Sequence, residues 1–473
     1  MIDHFDLVIL GSGSTAYSAA IGAAGREKSV LMTEMRSVGG TCLHRGCVPS
    51  KNLIEAAGLC HHARHFRFPG LKLSPVVVDF PELISQKDEV ISALQQKKYL
   101  DVVAANPRIA IRPGRAEFID PHTIAIEHNR VTADHILIAT GSQPVVPLIR
   151  GLEEVPYLTS DLLTNQESME LKKLPESLVI IGGGYIALEL GQMFARLGSQ
   201  VCLLERSAQL LPHYEPEIGI ALSEILRSEG LDIRVSVTID SVAKGEQGIR
   251  VHTSSGPIDG THLLIAAGRR PNTEHLHLEA AGVQAHPGGH ILVNKYLQTT
   301  VPHIWAAGDV VKGPMATPVG AHDGSIVASN AFSSPKRVSS RAHIPRAIFT
   351  DPQVAVVGMT DAEATASGLD CECRTVSMEH VPRAVAVRDT RGLIKMVAER
   401  DSGRILGVSI LAPNAAEFIH IAMLAIRADM TVNELIEHPF VYPTYSEAIK
   451  IAALAFKTDV TQLSCCAEGA IDG

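Results

Sequence analysis

Two copies of one local pattern constrain the fold of this chain more than any other feature. The first copy is "FDLVILGSGSTA", an apolar segment typical of a buried strand that runs through a glycine turn into an alanine-rich helix. The second is "SLVIIGGGYIALELGQMFARLGSQVCLLER", which repeats strand, glycine turn, helix and strand. Such glycines allow a tight turn and let a pyrophosphate approach the backbone at the start of the helix. Each copy therefore predicts a βαβ unit that binds a dinucleotide.

Acidic residues at two strand ends extend these predicted sites. Glu34 and Glu205 each close the strand that follows the helix, where a carboxylate accepts a hydrogen bond from a ribose hydroxyl. Arg206, beside Glu205, could instead meet the 2′-phosphate of NADPH, so the choice between NADH and NADPH stays open. Two complete fingerprints imply two dinucleotides, and a flavin with a nicotinamide nucleotide is the natural pairing.

Two further apolar segments end in glycine turns, "HILIATGSQP" and "HIWAAGDV", and each is predicted to deliver a backbone turn to a bound nucleotide. Asp309, in the second segment, adds a carboxylate for a ribityl hydroxyl of a flavin; the alternative interpretation is a helix N-cap. The residues predicted to bind the two dinucleotides are Gly11, Gly13, Ser14, Ala16, Glu34, Gly40, Thr41, Lys51, Thr140, Gly141, Asp309, Gly182, Gly184, Tyr185, Ala187, Glu205, Arg206 and Gly268.

Length, charge and patterning narrow the class of protein. At 473 residues the chain is long enough for about three domains. Its net charge is −9 and it has no long run of Lys or Arg, so neither a nucleic acid nor a membrane surface is an expected partner. The opening segment lacks the features of a secretory signal and no apolar run reaches membrane-spanning length, which predicts a cytoplasmic protein. After residue 341, strands such as "QVAVVGM" and helices around 414–428 and 445–456 predict a third, α+β domain.

The segment "GGTCLHRGCVPSK" carries the predicted chemistry. Five residues of ideal helix rise ~7.5 Å, so a bond between Cys42 and Cys47 requires irregular backbone, which the nearby glycines and proline supply. Lys51 lies four residues after Cys47 on the same helical face, where its charge favours a thiolate. Clustered cysteines in a reducing compartment are more often catalytic or metal-binding than structural, although a buried thiol pair without a redox role is the alternative.

Together these motifs resemble the pyridine nucleotide-disulfide oxidoreductases, the flavin disulfide reductases. The matching segments include "GGTCLHRGCVPSK", "IATG", "GGGYIALE" and "AAGD", and the resemblance spans essentially the whole chain. It implies an α/β fold with two Rossmann-like dinucleotide-binding domains, as in glutathione reductase, and a C-terminal α+β dimerisation domain. The implied parts are an FAD-binding domain at 1–149 and 273–340, an NAD(P)-binding domain at 150–272, and an interface domain with a Cys-Cys tail at 341–473.

The same resemblance implies roles for individual residues in a homodimer. Cys42 and Cys47 become a redox-active pair, with Cys47 against the flavin and Cys42 toward the substrate. Lys51 is expected to form an ion pair with Glu189 near the flavin, and Tyr185 to cover the nicotinamide pocket. The family more often uses NADPH than NADH.

A second C-terminal motif bears on the substrate. Disulfide-reducing members carry His-Pro-Thr-x-x-Glu, whose histidine shuttles the proton of thiol–disulfide exchange. This chain has "FVYPTYSEAIK", with Tyr442 in the histidine position. A phenol that titrates near pH ~10 is a poor base at neutral pH, so dithiol–disulfide chemistry is disfavoured. What remains is a soft metal ion held by cysteine sulfur.

On these positions the chain resembles the mercuric reductases, the branch of the family that acts on Hg(II). The shared features are the tail "SCCA" with Cys465 and Cys466, the tyrosine at 442, and Tyr99 within "QQKKYLDVV". The resemblance implies that Cys465 and Cys466 of the partner subunit capture Hg(II) from thiol complexes and pass it to the redox pair. Tyr99 and Tyr442 would line the inner site; a helix-face tyrosine and a packed interface aromatic are their alternatives.

Two other functions stay open at this point. A high-molecular-weight thioredoxin reductase also uses a C-terminal redox pair, but it keeps the histidine. A flavoprotein that sequesters metal ions without turnover is the alternative from another class. Cys371 and Cys373, in "CEC", match no catalytic position and read as a surface pair without an assigned role.

Overall fold

The computed structural model describes residues 2–72, 76–164, 171–246 and 248–462. The predicted tail pair, Cys465 and Cys466, lies outside these residues. Within the described ranges, no helix is both long enough and apolar enough to cross a membrane.

The N-terminal part contributes six strands to a seven-stranded sheet, whose seventh strand comes from later in the chain, and the helix Ser14–Ala24 packs on one face of this sheet. Its strands are β1 (Asp3–Leu10), β2 (Val30–Glu34), β3 (Ile109–Pro113), β4 (Ala116–Phe118), β5 (Thr123–Ile126) and β6 (Asn129–Ile138), followed by the separate β7 (Ser142–Pro144). Its helices are α1 (Ser14–Ala24), α2 (Gly40–His44), α3 (Cys47–Arg64), α4 (Phe80–Gln95) and α5 (Asp101–Ala104). The strand order is β3-β2-β1-β6-β5-β4, with parallel pairing from β3 to β6 and an antiparallel hairpin extension at β5 and β4.

The central strand β1 is buried on both faces, with helix α1 and the later helix α8 (Thr317–Phe332) on one face and strands β4 and β5 with later chain segments on the other. Leu7 and Ile9 contribute to the core on the α1 side, whereas Val8 and Leu10 contribute to the core on the opposite side. All four side chains are fully buried. The continuous apolar run "LVIL" is therefore explained by two cores rather than one.

The second nucleotide unit has its own smaller sheets. Its strands are β8 (Ser177–Ile181), β9 (Gln200–Leu204), β10 (Asp232–Arg234), β11 (Ile239–Gly245), β12 (Gly248–Thr253), β13 (Gly256–Gly260), β14 (His262–Ile265) and β15 (Arg269–Pro271). Its helices are α6 (Tyr185–Leu197) and α7 (Pro216–Ser228). A parallel sheet has the order β10-β9-β8-β14, an antiparallel sheet the order β11-β12-β13, and β15 pairs with β7.

After this unit the chain returns to the first sheet. The returning elements are β16 (Ile304–Ala306) and α8 (Thr317–Phe332). β16 adds to β6 in parallel, and α8 packs against α1. This return agrees with a first domain made of two chain segments, although the exact boundaries at 149, 272 and 340 stay predictions.

The C-terminal part is an antiparallel sheet with helices packed on it. Its strands are β17 (Arg346–Ile348), β18 (Gln353–Gly358), β19 (Cys371–Ser377), β20 (Leu393–Glu399) and β21 (Ile405–Ala412), in the order β17-β18-β21-β20-β19. Its helices are α9 (Asp361–Ala366), α10 (Pro382–Ala386), α11 (Ala415–Arg427), α12 (Val432–Glu437) and α13 (Glu447–Leu454). The helices expected around 414–428 and 445–456 correspond to α11 and α13, which confirms the predicted α+β architecture.

Candidate active site

The first glycine turn forms an open cradle at the N-terminus of α1. Gly11 has a φ of 118°, and a Cβ there would lie 2.4 Å from the carbonyl oxygen of Ala139, so only glycine fits. No described atom lies within 4 Å of a Cβ built at Gly13, the N-cap of α1. Because the first N–H groups of a helix have no intrahelical partner, this open turn suits a pyrophosphate. The residues therefore fit the flavin nucleotide that the sequence implies.

The loop that carries the cysteines lies directly against this cradle. Gly40 has a φ of 67°, and a Cβ there would lie 2.9 Å from the Cα atom of Gly13. On the other side, Glu34 ends β2 and its Oε2 accepts a hydrogen bond from the Ser12 hydroxyl at 2.6 Å. The remaining residues predicted here lie in the first turns of α1 and α2: Ser14, Ala16 and Thr41.

The turn after β6 and the turn after β16 complete the first site. The Thr140 hydroxyl donates to the carbonyl oxygen of Asn272 at 2.7 Å, which ties the turn after β6 to the returning chain. Asp309 lies inside the 3-10 turn Gly308–Val310, and its Oδ2 accepts a hydrogen bond from the Ser142 hydroxyl at 2.7 Å. Asp309 is therefore not a helix N-cap. Its carboxylate is bonded to Ser142, which follows β6 of the first nucleotide unit.

The second glycine turn repeats the geometry of the first. Gly182 has a φ of 122°, and a Cβ there would lie 2.4 Å from the carbonyl oxygen of Ala266. Gly184, the N-cap of α6, has no described atom within 4 Å of a built Cβ, and Ala187 is fully buried behind the turn. Two other predicted glycines have positive φ angles and the same open space: Gly141 and Gly268. Gly182, Gly184, Ala187 and Gly268 fit a second dinucleotide, whereas Gly141 follows β6 at the first site.

The side chains around the second turn differ in exposure. Tyr185 is the first residue of α6 and is 43% exposed, so its ring is available at the mouth of the site. Glu205 is buried; a Cβ built at Gly183 would lie 2.7 Å from its Oε2, and its Oε1 accepts from the backbone N–H of Ser207 at 2.7 Å. Arg206 is exposed. The structure thus has the carboxylate under the glycine turn and the guanidinium group outside it.

The backbone breaks between the two cysteines, as the sequence predicts. Cys42 lies in α2, which ends two residues before Gly46, and Cys47 is the first residue of the 18-residue helix α3. Both are free thiols in the structure, and the thiol of Cys42 hydrogen-bonds to the sulfur of Cys47. The irregular turn therefore brings together two sulfurs that a continuous helix would keep apart.

The two thiols have opposite electrostatic environments. The hydrogen bond from Cys42, a hydrogen bond with the Thr317 hydroxyl at 3.6 Å and the charge of Lys51 lower the pKa of Cys47 to about 6, against the effect of burial. The start of α3 adds the partial positive charge of a helix N-terminus. The same hydrogen bond, together with burial, raises the pKa of Cys42. Cys47 is therefore the thiolate of the pair and Cys42 the proton donor.

Lys51 is held in place by a nearly buried carboxylate. Its Nζ lies 2.6 Å from Oε2 of Glu189 in α6, which forms the ion pair that the resemblance implies. The other oxygen of Glu189 accepts from the backbone N–H of Phe349 at 2.8 Å, and Lys51 Nζ lies 4.7 Å from the centre of the Phe349 ring. This arrangement joins α3, α6 and the C-terminal part at the positive charge beside Cys47.

Tyr99 lies near the cysteine pair, in an irregular helical segment that directly follows α4. The segment Gln96–Leu100 is π-helical, a conformation that often occurs at functional sites. The Tyr99 ring packs edge-on against Tyr17 at 4.8 Å and lies close to the loop at Gly39. Burial, followed by the charges of the nearby cysteines, raises the pKa of Tyr99, so its phenol stays protonated.

Comparison with known proteins agrees with this geometry. The family described as pyridine nucleotide-disulphide oxidoreductase matches residues 5–324, and its dimerisation domain matches residues 344–453. The chain belongs to this family. A mercuric reductase from Streptomyces lividans is 44% identical over 98% of both chains, and one from Staphylococcus aureus is 41% identical over 98% of this chain and 84% of its own.

Solved structures of the family also match. The HOCl-induced flavoprotein disulfide reductase RclA from Escherichia coli has 32% identity and a TM-score of 0.85, covering 95% of this chain and 99% of its own. Its Cu(II) complex has a TM-score of 0.87 and covers 96% of this chain. The predicted fold class, two dinucleotide-binding units with a C-terminal dimerisation domain, is thereby confirmed.

The C-terminal motif lies in the C-terminal part, between α12 and the start of α13. Tyr442 lies between α12 and α13 and is 47% exposed. Its peptide bond to Pro443 is cis. The backbone N–H of Thr444 donates to Glu447 at 3.2 Å, so the polar residues of the motif bond to each other. In contrast to Tyr99, Tyr442 is carried by the domain that the family uses for dimerisation.

Sequence analysis missed two residues of this site. Thr317 bonds to Cys47 and Phe349 bonds to Glu189, although 270 and 160 residues separate the members of each pair. Pro318, directly after Thr317, is typical of the first turn of a helix and was the available signal for the start of α8. The backbone N–H of Phe349 leaves no signal in the sequence.

Proposed function

We propose that this protein reduces Hg(II) to elemental mercury with electrons from NADPH, NADH being the alternative coenzyme. The ion gains two electrons and the coenzyme gives up a hydride, so the electrons balance. The observation that carries the proposal is the Cys42–Cys47 pair, a thiolate and a thiol in hydrogen-bond contact beside the first nucleotide cradle. Relatives named mercuric reductases at 44% and 41% identity support the choice of metal.

The protein's own residues prepare a site for a soft cation. Thiolates are the ligands that such ions prefer. Cys47 is ionised at neutral pH because its pKa is lowered, and Cys42 releases its proton when the ion binds. Lys51 balances the negative charge that collects at the pair, and Glu189 keeps Lys51 oriented. FAD, when bound, supplies the two-electron relay between the coenzyme and this pair.

The two nucleotides would be held by the residues predicted from the sequence. The turn from Gly11 to Ala16 with Glu34 and Asp309 would hold FAD, in a domain of residues 1–149 and 273–340. The turn from Gly182 to Ala187 would hold the coenzyme in residues 150–272. Tyr185 would cover the nicotinamide, since its ring is exposed at the mouth of this turn.

Delivery of Hg(II) to the Cys42–Cys47 pair would involve the second subunit of a dimer. We infer a homodimer through residues 341–473, because the dimerisation domain of the family matches residues 344–453. Cys465 and Cys466 of the partner subunit would deliver Hg(II) to Cys42 and Cys47, since a symmetric interface makes each site composite. Tyr442 would line the inner site with Tyr99. The cytoplasm, which keeps thiols reduced, is the compartment that suits this chemistry.

A coenzyme-oxidation assay tests the proposal. Purified holoenzyme is given NADPH in aerobic, thiol-buffered solution with Hg(II), Cu(II), oxidised glutathione or oxidised thioredoxin. We expect steady NADPH oxidation with Hg(II) and negligible turnover with either disulfide, because Tyr442 cannot replace a histidine base. Comparable rates with a disulfide would overturn the assignment.

The same assay separates two other functions. The likeness to the Cu(II) complex of RclA favours Cu(II) reduction as a second candidate, and faster turnover with Cu(II) than with Hg(II) would establish it. A protein that only sequesters the ion would oxidise no more NADPH than its binding sites can account for and would then stop. A thioredoxin-reductase-like activity would appear in the disulfide arms.

A further inference from the structure

The two cysteines of "CEC" lie outside the site described above, on strand β19. This strand is at the edge of the C-terminal sheet and pairs with β20. Cys371 and Cys373 are separated by one residue, so both side chains point to the same face of the strand. Both pack against one small cluster, made by Ala364, Val397 and Leu406. The two thiols are therefore neighbours in space as well as in sequence, and both are partly exposed.

The surroundings of this pair are polar and contain both carboxylates and cationic side chains. The thiol of Cys371 donates to Oδ1 of Asp361 at 3.4 Å and lies 3.7 Å from the Thr365 hydroxyl. Burial raises the pKa of Cys373; the positive charge of Lys395 lowers it, and the carboxylates of Asp361, Glu215 and Glu217 raise it further. One oxygen of Glu217 is buried and has no hydrogen-bond partner among the described residues. Lys395 is paired with Glu215 and Glu217 at 2.9 Å, so the carboxylates that act on Cys373 outnumber the ammonium group, and the Asp361 carboxylate is the charged side chain bonded to a thiol of the pair.

The spacing on the strand favours a metal ion over a disulfide. Residues two apart on a strand are ~6.7 Å apart, and their roughly parallel side chains keep the Cβ atoms farther apart than the ~4 Å of a disulfide. A two-coordinate thiolate complex instead needs its sulfurs about 4.6 Å apart, twice a metal–sulfur bond of ~2.3 Å. Side chains on one face of a strand can reach that separation by rotation about χ1.

We propose that Cys371 and Cys373 form a two-coordinate site for a soft, thiophilic metal ion, separate from the Cys42–Cys47 pair. Binding breaks two S–H bonds, forms two S–metal bonds and releases two protons, and no electrons are transferred. Within the described residues no group of three or more metal-ligating side chains occurs, so two-thiol coordination is the geometry this surface offers. The site needs neither coenzyme nor turnover and therefore goes beyond the proposed function.

The chain contains a matched single thiol for the test. Cys202 on β9 also donates to a carboxylate at 3.4 Å, that of Asp232, and is also partly exposed. No second described cysteine lies beside it on its strand. If a carboxylate-bonded thiol were enough to retain the ion, Cys202 would behave like Cys371.

The experiment measures protection from alkylation. Oxidised holoenzyme without coenzyme is loaded with Hg(II), washed with excess monothiol, treated with iodoacetamide and digested, and each cysteine peptide is quantified by mass. Two thiolates on one strand act as a chelate, so we expect ~100-fold slower alkylation of Cys371 and Cys373 together, with no protection of Cys202. In Cys371→Ser, the remaining Cys373 should be alkylated at the same rate with and without Hg(II).

Several results would overturn the inference. These are equal protection of Cys202, continued protection of Cys373 in Cys371→Ser, no protection in the wild type, or no alkylation of the two cysteines in the metal-free protein. Hg(II)-dependent NADPH oxidation is measured in parallel on the double variant Cys371→Ser/Cys373→Ser, where we expect the wild-type rate. Failure of the proposed function would appear in that second assay alone.

Discussion

Replacing Thr317 with valine should raise the pKa of Cys47 and shift the pH dependence of Cys47 alkylation to higher pH. The Thr317 hydroxyl hydrogen-bonds to the Cys47 sulfur at 3.6 Å. Valine has nearly the same shape but cannot donate, so the change removes one stabilising contact to the thiolate. Thr317 is the first residue of α8, where a β-branched residue is already accommodated.

The size of the effect follows from the strength of this contact. A hydrogen bond to a charged group contributes about 1.5–3 kcal/mol, and the 3.6 Å distance places this one at or below the lower end. One pKa unit corresponds to 1.36 kcal/mol, so the pKa of Cys47 should rise from about 6 to about 7. At about pH 6 the thiolate fraction would then fall roughly five-fold, while at about pH 8.5 it would hardly change.

The assay is the pH dependence of Cys47 alkylation in the reduced protein. Iodoacetamide reacts with the thiolate, and the mass of the Cys47 peptide gives the rate at each pH. Thr317→Ser keeps the hydroxyl and is the matched control, with an expected midpoint equal to that of the wild type. An unchanged midpoint in Thr317→Val, or an equal shift in Thr317→Ser, would refute the assignment of the hydrogen bond.

Two further predictions concern the coenzyme and the tail. Glu205→Ala should raise the ratio of kcat/KM for NADPH to that for NADH several-fold, because a carboxylate near the 2′-phosphate costs ~1 kcal/mol. Glu205→Gln removes the same charge and keeps the size of the side chain. An unchanged ratio in both variants would contradict the prediction. Mixing a Cys42→Ala/Cys47→Ala variant with a Cys465→Ala/Cys466→Ala variant should restore about one quarter of wild-type activity, since half of the dimers are mixed and each has one intact site. Mixed dimers no more active than their parents would refute delivery across subunits.

The local patterns of this sequence predict the parts of the site that are continuous in the chain. Positions 11 and 182 require glycine because their φ angles are positive and because the carbonyl oxygens of Ala139 and Ala266 leave no room for a side chain. The break between Cys42 and Cys47 was likewise predictable from helix geometry and the glycine at 46. Each of these features depends on backbone constraints that act over a few residues.

The electrostatics of the pair depended on contacts that no local pattern encodes. Thr317 and Phe349 approach the site only because α8 and the C-terminal part fold back onto α3 and α6. The π-helical turn at Tyr99 was also not predicted, since "QQKKYLDVV" reads as ordinary helix. Lys51 and the start of α3 are visible in the sequence and favour a thiolate at Cys47. They account for only part of the effect, because Thr317 also lowers the pKa of Cys47.

The most direct test of the central claim is the yield of elemental mercury per NADPH. Holoenzyme is supplied with Hg(II) and NADPH in a purged cell, the volatile mercury is trapped and quantified, and NADPH loss is followed in the same vessel. We predict one mercury atom per NADPH for the wild type and loss of both signals in Cys47→Ser, since the thiolate at this position is required. NADPH consumption without mercury release, or undiminished release in Cys47→Ser, would contradict the account.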